Sequence, residues 1–466
     1  MSSFGLVALL LLLAAVFGYI NHRTFQLPTV IGVLILAVVS SLALIIIDPW
    51  VRGYDLTGWA RDALAAANLP HLLLDGVLAY LLFAGSLQVD IAALQRQQWA
   101  IFALSTFGTV AATVLFGFGI AEVFYRLGVD VPLPWCLVLG AILAPTDPVA
   151  IMALLQRTGL PEGLRMVIVG ESLFNDGVGV VVFLIALGVA GGDSLHIGTG
   201  HALIQVIIQV GGGGLLGIAT GWVAYRAMKT VDDYNLELTI TLALVTVTYS
   251  LAQWLGVSGP IAVVVAGLLI GNHATEHAMS DKSRKTLVTF WSLVDELLNA
   301  LLFLMIGLEL LAVDTSWLLL LSVLIAIPLA VVVRLASIAV PLLVMRVNTV
   351  NRLRAMGVLT WGGLRGGISV ALALALPQGD YRGALLTVCY GVVVFTIVVQ
   401  GLTMPRIVKL LYSPQRVMMP RAKTEAETIT SRRNPPPRDP SSDAPGTSVQ
   451  TPPPSPISPG YNSDSS

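Results

Sequence analysis

The chain has 466 residues, 56% of them hydrophobic and only 11% charged, with a formal net charge of −1. A soluble domain carries about 25% charged residues, so this composition cannot build a water-facing surface and the solvent for most of the chain is lipid. A near-neutral chain whose few basic residues are scattered between apolar blocks is also no general polyanion binder, and nucleic acid is not expected as a partner.

The apolar blocks run to roughly 20 residues, the length that crosses about 30 Å of hydrocarbon. They predict an all-α polytopic membrane protein with about 13 transmembrane helices. In chain order the segments cover approximately 4–20, 28–47, 70–88, 99–125, 134–155, 166–190, 202–225, 235–254, 258–272, 287–308, 317–345, 355–377 and 384–411. The first has no basic flank and ends in Asn21-His22-Arg23 without a small-residue cleavage site, so it reads as a retained helix rather than a signal peptide. Segment five is interrupted by Ala144-Pro145-Thr146-Asp147-Pro148, and segment twelve by Trp361-Gly362-Gly363-Leu364-Arg365-Gly366-Gly367. Proline removes a donor and glycine weakens a helix, so both segments are expected to unwind near the midplane. A pair of interrupted segments in corresponding places is the sequence trace of an inverted repeat. Residues 1–411 thus form the transmembrane domain. Residues 412–466, rich in Pro, Ser, Thr and Asp, are expected to be a disordered cytoplasmic tail. Cys136 and Cys389 lie in apolar blocks without a CxxC or a nearby His, so neither disulfide, metal centre nor cofactor is expected.

Lys and Arg set the orientation, because cytoplasmic loops retain them. One set of alternate loops holds Arg23, Arg96, Arg157, Arg165, Arg226, Lys229, Lys282, Arg284, Lys285, Arg346, Arg352 and Arg354; the other holds Arg52, Arg61, Arg126 and Arg382. The bias is about threefold and places the N-terminus outside and the C-terminus in the cytoplasm.

Each ionisable group inside the bilayer costs roughly 2.5 kcal/mol or more on insertion scales, so it needs a partner or a task. Asp147, Glu171, Asp176, Arg334 and Arg365 are such groups. Asp75, Asp295 and Glu296 fall nearer segment ends and read as solvated, as do the histidines His22, His71, His273 and His277, mostly in loops. In Gly170-Glu171-Ser172-Leu173-Phe174-Asn175-Asp176-Gly177, the i, i+4 spacing places Glu171 with Asn175 and Ser172 with Asp176 on adjoining helix faces. Carboxylates, an amide, a hydroxyl and unwound carbonyls around Thr146 are hard oxygen ligands that suit Na+. The same carboxylate can take a proton, so Na+ and H+ compete for one group. With Arg334 and Arg365 the candidate mid-membrane cations, Glu171 reads as half of a structural ion pair.

These motifs, Thr146-Asp147-Pro148, Gly170 to Gly177 and Gly362 to Ser369, resemble the signature segments of the cation/proton antiporter 1 family, which includes NhaP-like antiporters and the eukaryotic sodium/hydrogen exchangers. The resemblance covers roughly residues 1–411. It implies an NhaA/NhaP-like fold of dimerisation and six-helix core parts with crossing discontinuous helices, working as a homodimer by an elevator-like movement. It implies exchange of Na+, with Li+ as a further substrate, for H+ across a membrane; the short tail and the lack of a targeting segment lead to the plasma (inner) membrane as the expected location. Asp176 would be the main cation- and proton-binding carboxylate and Asn175 its positioning partner, with Asp147, Thr146 and Ser172 contributing to the Na+ site. Glu171 would pair with Arg334, and Arg365 would stabilise the helix crossing. The Asn-Asp pair implies electroneutral 1:1 exchange. Leu81-Leu82-Phe83-Ala84 departs from the family pattern, which often carries a carboxylate where Ala84 stands, so a ligand is missing there.

Within transport, the alternatives are a K+/H+ antiporter and a cation channel, since the same oxygens accept K+. Two intramembrane aspartates also occur in aspartyl proteases, where they share a water against a peptide bond. The adjacent amide and serine and the two helix breaks suit ion passage better.

Overall fold

A computed structural model describes residues 3–51, 55, 57–58, 76–147, 160–191, 199–274, 279–312, 316–344 and 351–412. The expected tail beyond Tyr412 therefore lies outside the described residues, as do Asp75, His71 and His277. Among the described residues there is no strand. The helices are α1 (Ser3–Ile20), α2 (Thr29–Ile47), α3 (Leu78–Leu87), α4 (Gln98–Leu127) and α5 (Leu133–Leu143). They continue with α6 (Glu162–Ala190), α7 (Thr199–Met228), α8 (Tyr234–Leu255), α9 (Gly259–Leu269) and α10 (Asp281–Leu308). The last are α11 (Trp317–Val344), α12 (Arg352–Trp361), α13 (Gly367–Leu374) and α14 (Arg382–Tyr412).

Among the described residues eight helices are long and apolar enough to cross a membrane by length and composition. This is fewer than the 13 expected segments, in part because residues 70–75 of segment three and 148–155 of segment five lie outside the described residues. α3, α5 and α9 are apolar but short, segment twelve is split between α12 and α13, and α10 carries Asp281, Lys282, Arg284, Lys285, Asp295 and Glu296. The basic cluster expected in the loop before segment ten lies instead in the first turns of α10, where the Ser280 hydroxyl caps the helix by accepting from the Ser283 N–H at 3.3 Å.

Local chemistry explains the other ends. Asp233 caps α8, and Asn351 caps α12 by accepting from the Leu353 and Arg354 N–H groups. Gly128 and Gly256 end α4 and α8 in the left-handed region, at φ +71° and +68°. Large apolar side chains project outward along α11, including Leu324, Val332, Val340 and Leu343, a face that lipid covers without cost.

The largest apolar core draws on α1, α2, α4, α5, α10, α11, α13 and α14. A second core, built around Phe83, Tyr249 and Trp291, joins α3, α7, α8, α9 and α10. In hydrocarbon, association depends on close packing, which small residues permit. At the α4–α5 crossing a Cβ on Gly140 would collide with the Thr113 carbonyl oxygen, and one on Gly117 would come within 2.9 Å of the Leu137 Cα. We expect Gly140→Ala to force these backbones apart and to cost about 1–3 kcal/mol, read as a lowered melting temperature of the detergent-solubilised protein. A melting curve identical to the wild type would show that the crossing is looser than this packing implies.

Candidate functional site

Two helix breaks build the site. α5 ends at Leu143 because Pro145 can neither donate to the ladder nor fit the preceding turn, and Ala144–Asp147 continue without helical hydrogen bonding. α12 ends at Trp361, and five residues pass before α13 begins at Gly367. The breaks are tied to one another. The Asp147 N–H donates to the Leu364 carbonyl at 2.8 Å. The Arg365 guanidinium donates to the Ala144 and Pro145 carbonyls at 2.6 and 3.1 Å, and its backbone N–H donates to Thr396 Oγ1 at 3.1 Å. Carbonyls freed by unwinding α5 thus regain a donor, and a cation sits at the negative end of the α5 dipole.

The other break has the opposite polarity. α13 starts without a side-chain cap, and a Cβ on Gly366 would run into the Asp147 carboxylate. Only glycine leaves room for that approach. Asp147 therefore lies beside the positive end of α13, the arrangement in which a half-helix stabilises an anion inside a membrane.

Glu171, on α6 and 1% exposed, receives the Arg334 guanidinium from α11 in a two-pronged pair, Nη1 to Oε1 and Nη2 to Oε2, both at 2.7 Å. Arg334 Nε also donates to the Leu359 carbonyl near the end of α12, at 3.4 Å. One turn along α6, Asn175 Nδ2 donates to Glu171 Oε1 at 3.2 Å and to Thr146 Oγ1 at 2.8 Å, while Asn175 Oδ1 accepts from the Thr146 N–H at 3.4 Å. The Ser172 and Thr146 hydroxyls lie 3.3 Å apart. The Asn175 amide thus clamps the α5 break against α6 through both ends of its side chain.

A cavity of about 100 Å3 opens beside these groups. Of the residues singled out from the sequence, Thr146, Asp147 and Asp176 line it, whereas Ser172 and Asn175 stand behind Thr146 and Glu171 and Arg334 are spent on each other. Asp176 is 7% exposed.

Three features depart from the sequence reading. Asp295, expected to be solvated, is half-buried, and its carboxylate accepts from Asn299 Nδ2 at 3.0 Å. Asn299 lines the cavity, so Asp295 stands one helical turn from it; Glu296 and His22 are exposed. Ala84 is buried among Phe83, Leu87 and Trp291, and α3 turns Leu78, Leu81, Leu82 and Gly85 toward the cavity instead. Ser369, in the first turn of α13, lines the cavity without having been singled out. Its signal in the sequence is a lone hydroxyl in an apolar helix four residues after a buried arginine.

A sequence profile of the family described as "Sodium/hydrogen exchanger, transmembrane" matches residues 10–410. The chain is 39% identical over 425 residues to the Na(+)/H(+) antiporter NhaP of Pseudomonas aeruginosa, covering 88% of this chain and 97% of that protein. It is 31% identical over 347 residues to the Na(+)/H(+) antiporter NhaH of Halobacillus aidingensis, covering 72% and 81%. In structure it resembles the sodium proton antiporter MjNhaP1 from Methanocaldococcus jannaschii with a TM-score of 0.69 at 21% identity, covering 88% of this chain and 98% of that one.

Proposed function

Because the chain belongs to the sodium/hydrogen exchanger family of transmembrane proteins, we infer that it is a secondary transporter exchanging Na+ for H+ across a membrane. The observation that supports this most directly is a cavity lined by both Asp147 from the α5 break and Asp176 on α6.

Na+ and H+ compete for Asp176. Thr146 and Asp147 supply further oxygens, with Ser172 holding the Thr146 hydroxyl in place, and hard oxygen donors of this kind suit an alkali cation. Occupancy decides whether the carrier turns over. An empty site leaves an uncompensated carboxylate, whose burial at the bilayer centre costs about 2.5 kcal/mol or more, a factor of roughly sixty in rate. Either Na+ or H+ removes that charge. Passage is then fast only for the loaded forms, and the two ions move in opposite directions. Asn175 adds no second titrating charge beside Asp176, and Asp147 stays the anion at the positive end of α13 throughout the cycle, so the exchange is one Na+ per H+ and electroneutral. Arg365 keeps the two breaks together as the site moves, and the Glu171–Arg334 pair fixes α6 against α11. The protein works as a homodimer in the plasma membrane with its N-terminus outside. Residues 1–411 carry transport, and the tail from 412 lies in the cytoplasm.

The test is Na+-driven proton movement into proteoliposomes holding a pH-sensitive dye, with the membrane potential clamped and unclamped. Exchange that responds to Na+ and ignores the clamp is expected. Na+ flux without proton movement would make the protein a channel, and a response to K+ alone would make it a K+/H+ antiporter. Competition also has a pH signature. On the acidic side of the working range, the Na+ concentration for half-maximal rate should rise about tenfold per pH unit while the maximal rate stays constant, by simple mass action of one proton. A maximal rate that falls with the proton concentration, at unchanged half-saturation, would argue for separate sites.

A further inference from the structure

The oxygens assigned so far come from one side of the chain's repeat, the α5 break and α6. The wall that α3 gives the cavity consists of Leu78, Leu81, Leu82 and Gly85 and offers no side-chain oxygen. Asn299 has its amide nitrogen anchored to Asp295, through both the backbone carbonyl at 2.9 Å and the carboxylate at 3.0 Å, which leaves its amide oxygen as the polar atom it can offer the cavity. Ser369 is different. It is the third residue of α13 and lines the cavity, it is 1% exposed, and its Oγ has no hydrogen-bond partner among the described residues. A helical serine ordinarily satisfies its hydroxyl by donating to a carbonyl one turn back or by capping. Residues 362–366 are unwound, so the usual helical carbonyl one turn back is not in place. Buried hydroxyls without partners are rare in folded proteins and call for an explanation.

We propose that the Ser369 hydroxyl is a further ligand of the transported cation, supplied by the second broken segment to a cavity whose α3 wall offers no side-chain oxygen. A hydroxyl oxygen has two lone pairs, enough to accept nothing from the protein and still face a hard cation. In the proton-loaded form the same O–H can donate to a carboxylate oxygen in the cavity, so the group is satisfied in both loaded states. The neutral hydroxyl adds affinity without adding charge. It therefore tunes Na+ half-saturation and selectivity and leaves the charge balance of the exchange untouched.

The inference rests on the exchange reading above, and two measurements separate their failures. The first is Na+-dependent proton movement in proteoliposomes for the wild type, Ser369→Ala, Ser369→Cys and Ser369→Thr. Losing one oxygen ligand to a charged species is expected to raise the half-saturating Na+ concentration about tenfold or more in Ser369→Ala. Ser369→Cys, which keeps the volume but offers a soft sulfur, should behave alike, and Ser369→Thr should restore wild-type half-saturation. Maximal rate at saturating Na+ should stay within about twofold, since a neutral ligand acts mainly on binding. The ratio of Na+ to Li+ half-saturation should shift as well, which a packing role would not move. The second measurement is equilibrium binding of radioactive Na+ to the detergent-purified proteins. Weaker binding in Ser369→Ala and Ser369→Cys with a wild type that fails to exchange would sink the exchange reading and keep the ligand. Unchanged half-saturation and binding in both variants, or a lowered maximal rate with unchanged half-saturation, would overturn the assignment of Ser369.

Discussion

Asp176→Asn is expected to reduce Na+-driven proton movement to the level of protein-free liposomes while leaving the protein folded and extractable. The side chain is nearly isosteric, and Asp176 reaches the cavity from a face of α6 other than the one that makes the Glu171–Asn175–Thr146 contacts, so packing has little to lose. Chemistry has everything to lose. An amide neither releases a proton nor neutralises a cation, so no competition remains and the site is uncharged when empty. The measurement is dye-reported exchange beside a melting curve for the same preparation. Full exchange by the variant would remove Asp176 from the mechanism, and a collapsed melting curve would reassign it to the fold.

The second large effect concerns stability. Glu171 and Arg334 satisfy one another through two 2.7 Å hydrogen bonds out of reach of water. Removing one partner strands a buried charge and costs about 3–5 kcal/mol, whereas replacing both with apolar groups can be close to neutral. Glu171→Gln and Arg334→Met should each lower the melting temperature sharply, and the double variant should regain a large part of the loss. Asn175 loses an anionic acceptor in Glu171→Gln and keeps a neutral one, so that variant should be the milder of the two singles. A double variant that melts at the sum of the single losses would mean that the pair contributes nothing as a pair.

Much of this arrangement could be read from the residues because lipid makes exceptions conspicuous. Pro145 and the Gly362–Gly367 run predict breaks wherever they fall, and the structure unwinds the chain at both. Five ionisable residues in apolar segments were enough to name the groups that the structure gathers around the breaks. What the sequence left open is helical phase and depth. Nothing in Leu81-Leu82-Phe83-Ala84-Gly85 says which side faces a cavity, since all five residues are apolar; Ala84 packs against Trp291 while Gly85 borders the site. Asp295 looked solvated because it follows a charged stretch near a segment end. Its burial comes from α10 beginning at Asp281, which carries the carboxylate deeper into the bundle. Ser369 carries no charge, and a lone hydroxyl four residues after Arg365 is a weak signal beside the missing partner of its oxygen.

The bond from Arg365 to the Ala144 carbonyl spans 221 positions of the chain, and this distance has a meaning for how the protein is made. At about 5–20 residues per second, a ribosome delivers Arg365 on the order of 10–40 s after Ala144. Throughout that interval the first break has carbonyls without their guanidinium donor, and the cavity lacks the wall that Gly366 to Ala371 will provide. The half-synthesised protein thus lacks the later partners of Asp147 and Glu171 and has no finished ion site. The two halves of the site meet only when nearly all of the transmembrane part has been made.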